Sequence, residues 1–192
     1  MINTIMNHLS NIYYFIKDFN SNELLNLDKN INIIFRNYDL INKKPILTKL
    51  NAFCKKNSRK LFVANDFKLA INLGLDGLYI PAFNKNLNFQ NFNVKSNFCL
   101  IGSAHNIVDL KIKKLQGCKQ IFVSPIFKNE KSNFFLDVNK FNLINLENDV
   151  KLIALGGINN FNLKRLKLTK SLGFASITWI KKNQPKKIRL VL

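Results

Sequence analysis

Apolar residues fall along this chain in short unbroken runs, separated by stretches in which apolar positions recur at helical spacing. The runs cover residues 13–16, 31–35, 60–64, 77–80, 98–101, 120–123, 152–155 and 173–179. Each is too short for a buried helix and reads as a strand. Between them, Glu23, Leu24 and Leu25 follow a cap formed by Asn20, Ser21 and Asn22. Residues 45–57 carry Ile46, Leu47, Leu50 and Phe53 at helical spacing, with Pro45 in a tolerated first-turn position. Residues 67–73, 108–115, 141–146 and the stretch bearing Phe161, Leu163 and Leu166 also read as helices. Residues 1–10 read as a short leading helix, and the Asn-rich residues 82–96 as loop.

The strands are continuous apolar runs, as a sheet covered on both faces requires. Crossovers of roughly ten to twenty residues between them allow parallel pairing. A doubly wound sheet fits that alternation too. Eight units and the late Gly156-Gly157 turn favour a closed (β/α)8 TIM barrel. Residues 1–192 then form a single domain. Its last helix is slightly truncated, because only a basic tail follows Trp179.

Charge changes the picture only in part. Lys and Arg number 30 against 11 Asp and Glu, for a net charge of +19. The lysines are spread along the chain, and Asn, Ile and Phe, which share A/T-rich codons, are abundant as well. The basic groups around Lys55, Lys56, Arg59 and Lys60 and from Lys111 to Lys114 fall on expected outer helices, where a charge run is a solvated face. A nucleic-acid partner is therefore disfavoured, and an anionic small substrate, drawn in by the positive field, is the more economical reading. No apolar run approaches the ~20 residues of a membrane span. Residues 1–19 have neither a basic leader nor a small-residue cleavage site, so no secretory signal is expected. Cys54, Cys99 and Cys118 are scattered, without a CxxC pair. Reduced thiols and a cytoplasmic location follow as expectations.

Strand ends carry the candidate chemistry. The loops after barrel strands form the active face of such folds. At these positions stand Arg36, Asn65 with Asp66, Ser103 with His105, Ser124, Asn129 with Lys131 and Ser132, Gly156 with Gly157, and Thr178. Each has a bland reading as well. Asp66 is a plain helix N-cap, His105 a cap-like partner, and Gly156-Gly157 a tight turn. Only their joint position points to a small-molecule site.

Six segments in order make the case stronger: 33–36, 61–66 with Leu69 and Ala70, 77–79, 103–106, 124–127 and 154–158. Through them the chain resembles the thiamine phosphate synthase/TenI family over most of its length. The resemblance implies a barrel transferase joining hydroxymethylpyrimidine pyrophosphate to thiazole phosphate, with release of pyrophosphate and dependence on Mg2+. It implies that Arg36 and Asn65 hold the pyrophosphate, that Asp66 binds Mg2+, and that Gly156, Gly157, Ile177 and Thr178 hold the thiazole phosphate through backbone groups. Ser103 and Ser124 would line the pyrimidine side, with His105 beside them as a substrate contact. The loop with Asn129 and Ser132 would close over the substrates, bringing Lys131 to the leaving group. Ile34 and Tyr38 stand where the synthases usually carry Gln and Lys; a second metal aspartate aligns with Asn84 or has no counterpart in Ile80-Pro81-Ala82-Phe83; and Asn129-Glu130-Lys131-Ser132 replaces the usual Thr-x-Thr-Lys. Two alternatives stay open: a family member that binds thiazole or thiamine phosphates without turnover, and a thiazole tautomerase-like protein. Against the latter, Ser124-Pro125 occupies the tautomerase histidine position. Self-association into a homo-oligomer is also left open.

Overall fold

In the computed structural model the eight predicted strands close into one parallel barrel in chain order. The structure describes residues 11–91, 94–130, 132–146 and 148–183; the expected leading helix lies outside them. The elements run β1 (Asn11–Ile16), α1 (Ser21–Leu25), β2 (Ile31–Phe35), α2 (Lys44–Lys56), β3 (Leu61–Ala64), α3 (Phe67–Asn72), β4 (Gly77–Ile80), a 3-10 turn (Asn88–Asn91) and β5 (Cys99–Ala104). There follow α4 (Ile107–Leu115), β6 (Gln120–Val123), α5 (Asp137–Leu146), β7 (Lys151–Leu155), a second 3-10 turn (Leu163–Leu168), β8 (Gly173–Ala175) and α6 (Thr178–Lys182).

Strand side chains alternate between two cores. Tyr13, Phe15, Ile34, Phe62, Ala64, Tyr79, Ile101, Phe122, Ile153 and Ala175 fill the barrel interior. Their neighbours Tyr14, Ile33, Phe35, Val63, Leu78, Ile121, Leu152 and Phe174 face the helices and meet Leu24, Leu47, Leu50 and Leu110. Both faces are therefore apolar, which explains the unbroken runs. Inside, the rings interlock edge to face: Tyr13 with Phe122 at 5.2 Å and Phe15 with Tyr79 at 5.3 Å between centroids.

Helix starts follow local chemistry. The Asn20, Asp66 and Asn106 side chains accept from the N–H groups of Glu23, Leu69 and Asp109 at 3.1, 3.1 and 2.8 Å.

Four expectations need correction. β5 runs on through Gly102, Ser103 and Ala104, because Gly102 pairs with Ile80 and Ser103 with Phe122. β8 stops at Ala175, and Trp179 belongs to α6, where it packs on Phe174 at 5.7 Å. The expected helix near Phe161 is a 3-10 turn over Leu163–Leu168, and Phe161 is 96% exposed. Two members of the supposedly solvated basic groups are buried. Arg59 is 6% exposed and donates to the carbonyls of Leu24, Leu27, Asp28 and Ile31, so its charge ties α1 to the base of β2. Lys113 is 0% exposed. Cys54 and Cys118 are buried, whereas Cys99 is only half-buried. No helix among the described residues is long and apolar enough to cross a membrane.

Candidate active site

The inward register of each strand continues one step past the aromatic layer, and that step carries the polar residues. Arg36 lies two positions beyond Ile34, Ser103 two beyond Ile101 and Ser124 two beyond Phe122. Period-two alternation therefore aims side chains from three strands at one mouth, and Gly157 and Ile177 follow the C-terminal ends of β7 and β8 at the same end of the barrel. Asp66 and Gly157 sit at the same end of the barrel, after the C-terminal ends of β3 and β7.

At that mouth the Arg36 guanidinium carbon stands 4.7 Å from the centroid of the Phe15 ring. The ring's π face accepts the cation without quenching its charge. Next to it, the buried Tyr79 hydroxyl donates to Ser103 Oγ at 3.0 Å. Burial pushes the Tyr79 hydroxyl up in pKa, against its bonds to Ser103 and Arg36, so it stays a protonated donor. An open cavity of about 430 Å³ lies beside Arg36, and Ile177, Lys17 and Lys181 share its lining with Asp18 and Glu23. The structure thus brings Arg36 and Ile177 together. Thr178 lies in the first turn of α6, next to Ser176, whose Oγ accepts from the Trp179 N–H at 3.2 Å.

His105 Nδ1 lies 3.2 Å from the Ser124 carbonyl oxygen and 3.1 Å from its hydroxyl. A carbonyl only accepts, so that contact holds a proton on Nδ1. The His105 backbone N–H donates to Asp109 at 3.1 Å, and Asp109 pairs with Lys85.

Across β3 and β4, Asn65 adopts a left-handed φ of +59°, a conformation Asn tolerates better than most residues. Its Oδ1 accepts from Asn84 Nδ2 at 2.6 Å. Asp66 is half-buried, and its Oδ1 serves as the α3 cap.

The Gly156-Gly157 turn is locked by main chain. φ is +90° and +72° at the two residues. The Ile126 N–H donates to the Leu155 carbonyl at 2.9 Å and the Phe127 N–H to that of Gly156 at 3.2 Å. A Cβ at Gly157 would meet the Phe127 carbonyl oxygen at 2.1 Å. Only glycine fits, and the β6 loop lies directly against the turn. In that loop the Ser132 N–H bonds Asn129 Oδ1 at 2.9 Å, while the Ser132 hydroxyl donates to the Phe134 carbonyl at 3.0 Å. These two residues thus organise their own loop. Lys131 lies outside the described residues.

The model of the family described as thiamine monophosphate synthase matches residues 22–180. The chain belongs to the thiamine monophosphate synthase family. Thiamine-phosphate synthases of two Prochlorococcus marinus strains are 29% and 27% identical over 123 and 127 residues, 62% of this chain in each case. The chain spans about a third of their length, 35% and 34%. Among solved structures, thiamine phosphate pyrophosphorylase from Pyrococcus furiosus superposes with a TM-score of 0.72 at 14% identity, covering 93% of each chain. FabK from Thermotoga maritima shares the barrel at a TM-score of 0.64 and 11% identity, over 92% of this chain and 61% of its own. At those identities the likeness is one of fold.

Within this family member, the sequence reading missed Tyr79, Lys17, Glu23 and Lys181. Tyr79 hides inside an apolar run, and only its inward register marks it. The other three line the cavity beside Arg36 from the bend after β1, from α1 and from α6, so no local pattern connects them.

Proposed function

We propose that this barrel is a thiamine phosphate synthase-type transferase, joining hydroxymethylpyrimidine pyrophosphate and thiazole phosphate into thiamine phosphate and pyrophosphate. The observation that carries the reading is the match of the family along residues 22–180, together with the gathering of Arg36, Ser103, Ser124 and Gly157 at one barrel mouth.

In this reaction the bond between the pyrimidine methylene carbon and the pyrophosphate oxygen breaks, and its electron pair leaves with pyrophosphate. The thiazole nitrogen lone pair then forms the new C–N bond. No protein nucleophile is required. What the protein must supply is fixed positive charge beside the leaving group and a dry floor under the electron-poor carbon. Arg36, steadied over Phe15, fits the first need, and the rings of Phe15, Tyr79 and Phe122 fit the second. Asn65 would hold the pyrophosphate with Arg36, and Lys131 would reach the leaving group from the β6 loop. Ser103, His105 and Ser124 would contact the pyrimidine, and Asn129 and Ser132 would shape the covering loop. Main-chain groups of Gly156, Gly157, Ile177 and Thr178 would take the thiazole phosphate.

Among the described residues no three His, Cys, Asp or Glu side chains cluster as a metal group. A hard cation such as Mg2+ needs only one or two carboxylates when substrate phosphates complete its shell, so Asp66 with the neighbouring amide oxygens fits that demand. There Asp66 would hold Mg2+, which supplies charge neutralisation for the pyrophosphate.

The test is direct. Purified protein given both phosphorylated precursors and Mg2+ should form thiamine phosphate, and Arg36→Met should abolish it. No product above background from freshly made substrates would overturn the reading. A second reading, phosphate binding without turnover, is favoured by one contact: Asn84, aligned with a metal carboxylate, is an amide bonded to Asn65. Calorimetric binding of thiazole phosphate without turnover would support it. Product formation gained on Tyr38→Lys with Asn84→Asp would mark the scaffold as competent but incomplete.

A further inference from the structure

Lys113 sits in a basic run, yet none of it reaches solvent. Its stem crosses β5 at Gly102, where an added Cβ would fall 2.8 Å from Lys113 Cδ and 2.9 Å from Cγ. The glycine therefore opens the track along which the chain reaches the top of the barrel. There the ammonium donates to the Asn84 carbonyl at 2.6 Å and to Gln116 Oε1 at 2.8 Å. Gln116 is equally buried and donates through Nε2 to the carbonyls of Asn84 and Asn86, at 3.0 and 2.7 Å. Two donors thus converge on one carbonyl of the loop after β4. From that residue the Asn84 side chain reaches Asn65, which directly precedes Asp66.

Burying an ammonium against neutral oxygens is costly, and a methionine would fill the same track without that cost. What the ammonium adds is a hold on the β4 loop. We propose that Lys113 is a positioning residue: it fixes Asn84, through Asn84 sets Asn65, and so shapes the Asn65–Asp66 side of the mouth for a pyrophosphate-bearing ligand. This rests on the transferase reading above only for the identity of the ligand.

Two measurements test it. Binding of magnesium pyrophosphate is followed by calorimetry in the wild type, Lys113→Met, Asn84→Ala and the double variant. Each single change should weaken binding by roughly tenfold, the worth of a lost hydrogen bond. The double variant should be no weaker than the worse single, since both cut one link. Multiplicative losses, or unchanged affinity in Lys113→Met, would refute the link. The second readout needs no ligand. Hydrogen exchange at the Asn86 and Asn88 amides, bonded to the side chains of Asn84 and Asn86 at 2.9 and 3.0 Å, should quicken in Lys113→Met while the β-strands stay protected. Unchanged exchange there overturns the proposal. If Lys113→Met does not fold, Gln116→Met removes the second donor to the same carbonyl and takes its place in both measurements. A wild type that binds no magnesium pyrophosphate would sink the transferase reading, and the exchange comparison would still decide the role of Lys113.

Discussion

Two sectors of the barrel mouth are built on opposite principles. Around β7 the Gly156-Gly157 turn is held mainly by main chain, with one side-chain bond from Asn162 Nδ2 to the Gly157 carbonyl at 2.7 Å, and the β6 loop is pressed on it so closely that no Cβ fits at Gly157. Around β2 to β4 the mouth is made of side chains: Arg36 over Phe15, Asn65 against Asn84, and a buried lysine beneath. Main-chain construction gives a rigid turn that tolerates no substitution at one point. Side-chain construction gives a surface whose charge and ligands change one residue at a time without threatening the fold.

The contrast can be broken in several ways. The largest stability effect is expected from Gly157→Ala. A steric clash and a left-handed residue together should cost about 3 kcal/mol or more in urea unfolding. A loss under ~1 kcal/mol would show the turn to be softer than its contacts say. Arg36→Met should reverse the balance, lowering turnover by roughly 100-fold or more while changing stability by about 1 kcal/mol or less. Equal losses in both would erase the distinction between the sectors.

A pH comparison sharpens it. Burial lowers the Lys113 pKa to about 8, with Cys118, Lys85 and Asp109 as its charged or titratable neighbours. Its ordinary value is 10.5, so between the two the unfolded chain binds the proton more tightly than the fold does. Below about pH 8 both states carry the proton and the penalty is constant. From there toward pH 10.5 it is relieved, and wild-type stability should rise relative to Lys113→Met. Urea titrations of both proteins at pH 7, 8 and 9 read that difference; a fall in place of a rise would contradict it. The smallest effect is expected at Asn65. Asn65→Gly should shift stability by no more than about 0.5 kcal/mol, strain relief offsetting backbone entropy. Asn65→Ala should cost about 1 kcal/mol at the same left-handed φ.

Much of the scaffold could be read in advance, and the failures have physical reasons. The strands at Ile31–Phe35, Gly77–Ile80 and Gln120–Val123 fall where the apolar runs place them. By pattern β5 ends early, because Gly102 and Ser103 break hydrophobic continuity, although pairing with Ile80 and Phe122 keeps them in the sheet. By pattern Trp179 belongs to a strand, because a large apolar residue after a short run looks like its continuation. The bond from the Trp179 N–H to Ser176 Oγ and the contact with Phe174 place it in a helix instead. At the site, Arg36, Ser103 and Ser124 were legible as polar residues after apolar runs. Tyr79 was not, since its hydroxyl is hidden within such a run.

From the order of residues alone came the eight-strand alternation, the glycine turn and the polar strand ends, because periodicity and backbone permissiveness act over a few neighbouring positions. Which polar groups touch was decided by barrel closure. Arg59 is buried by carbonyls roughly thirty residues upstream, and Lys113 by a carbonyl 29 residues away. Whether a cation is solvated or buried depends on what the completed fold places around it, and no local pattern carries that information.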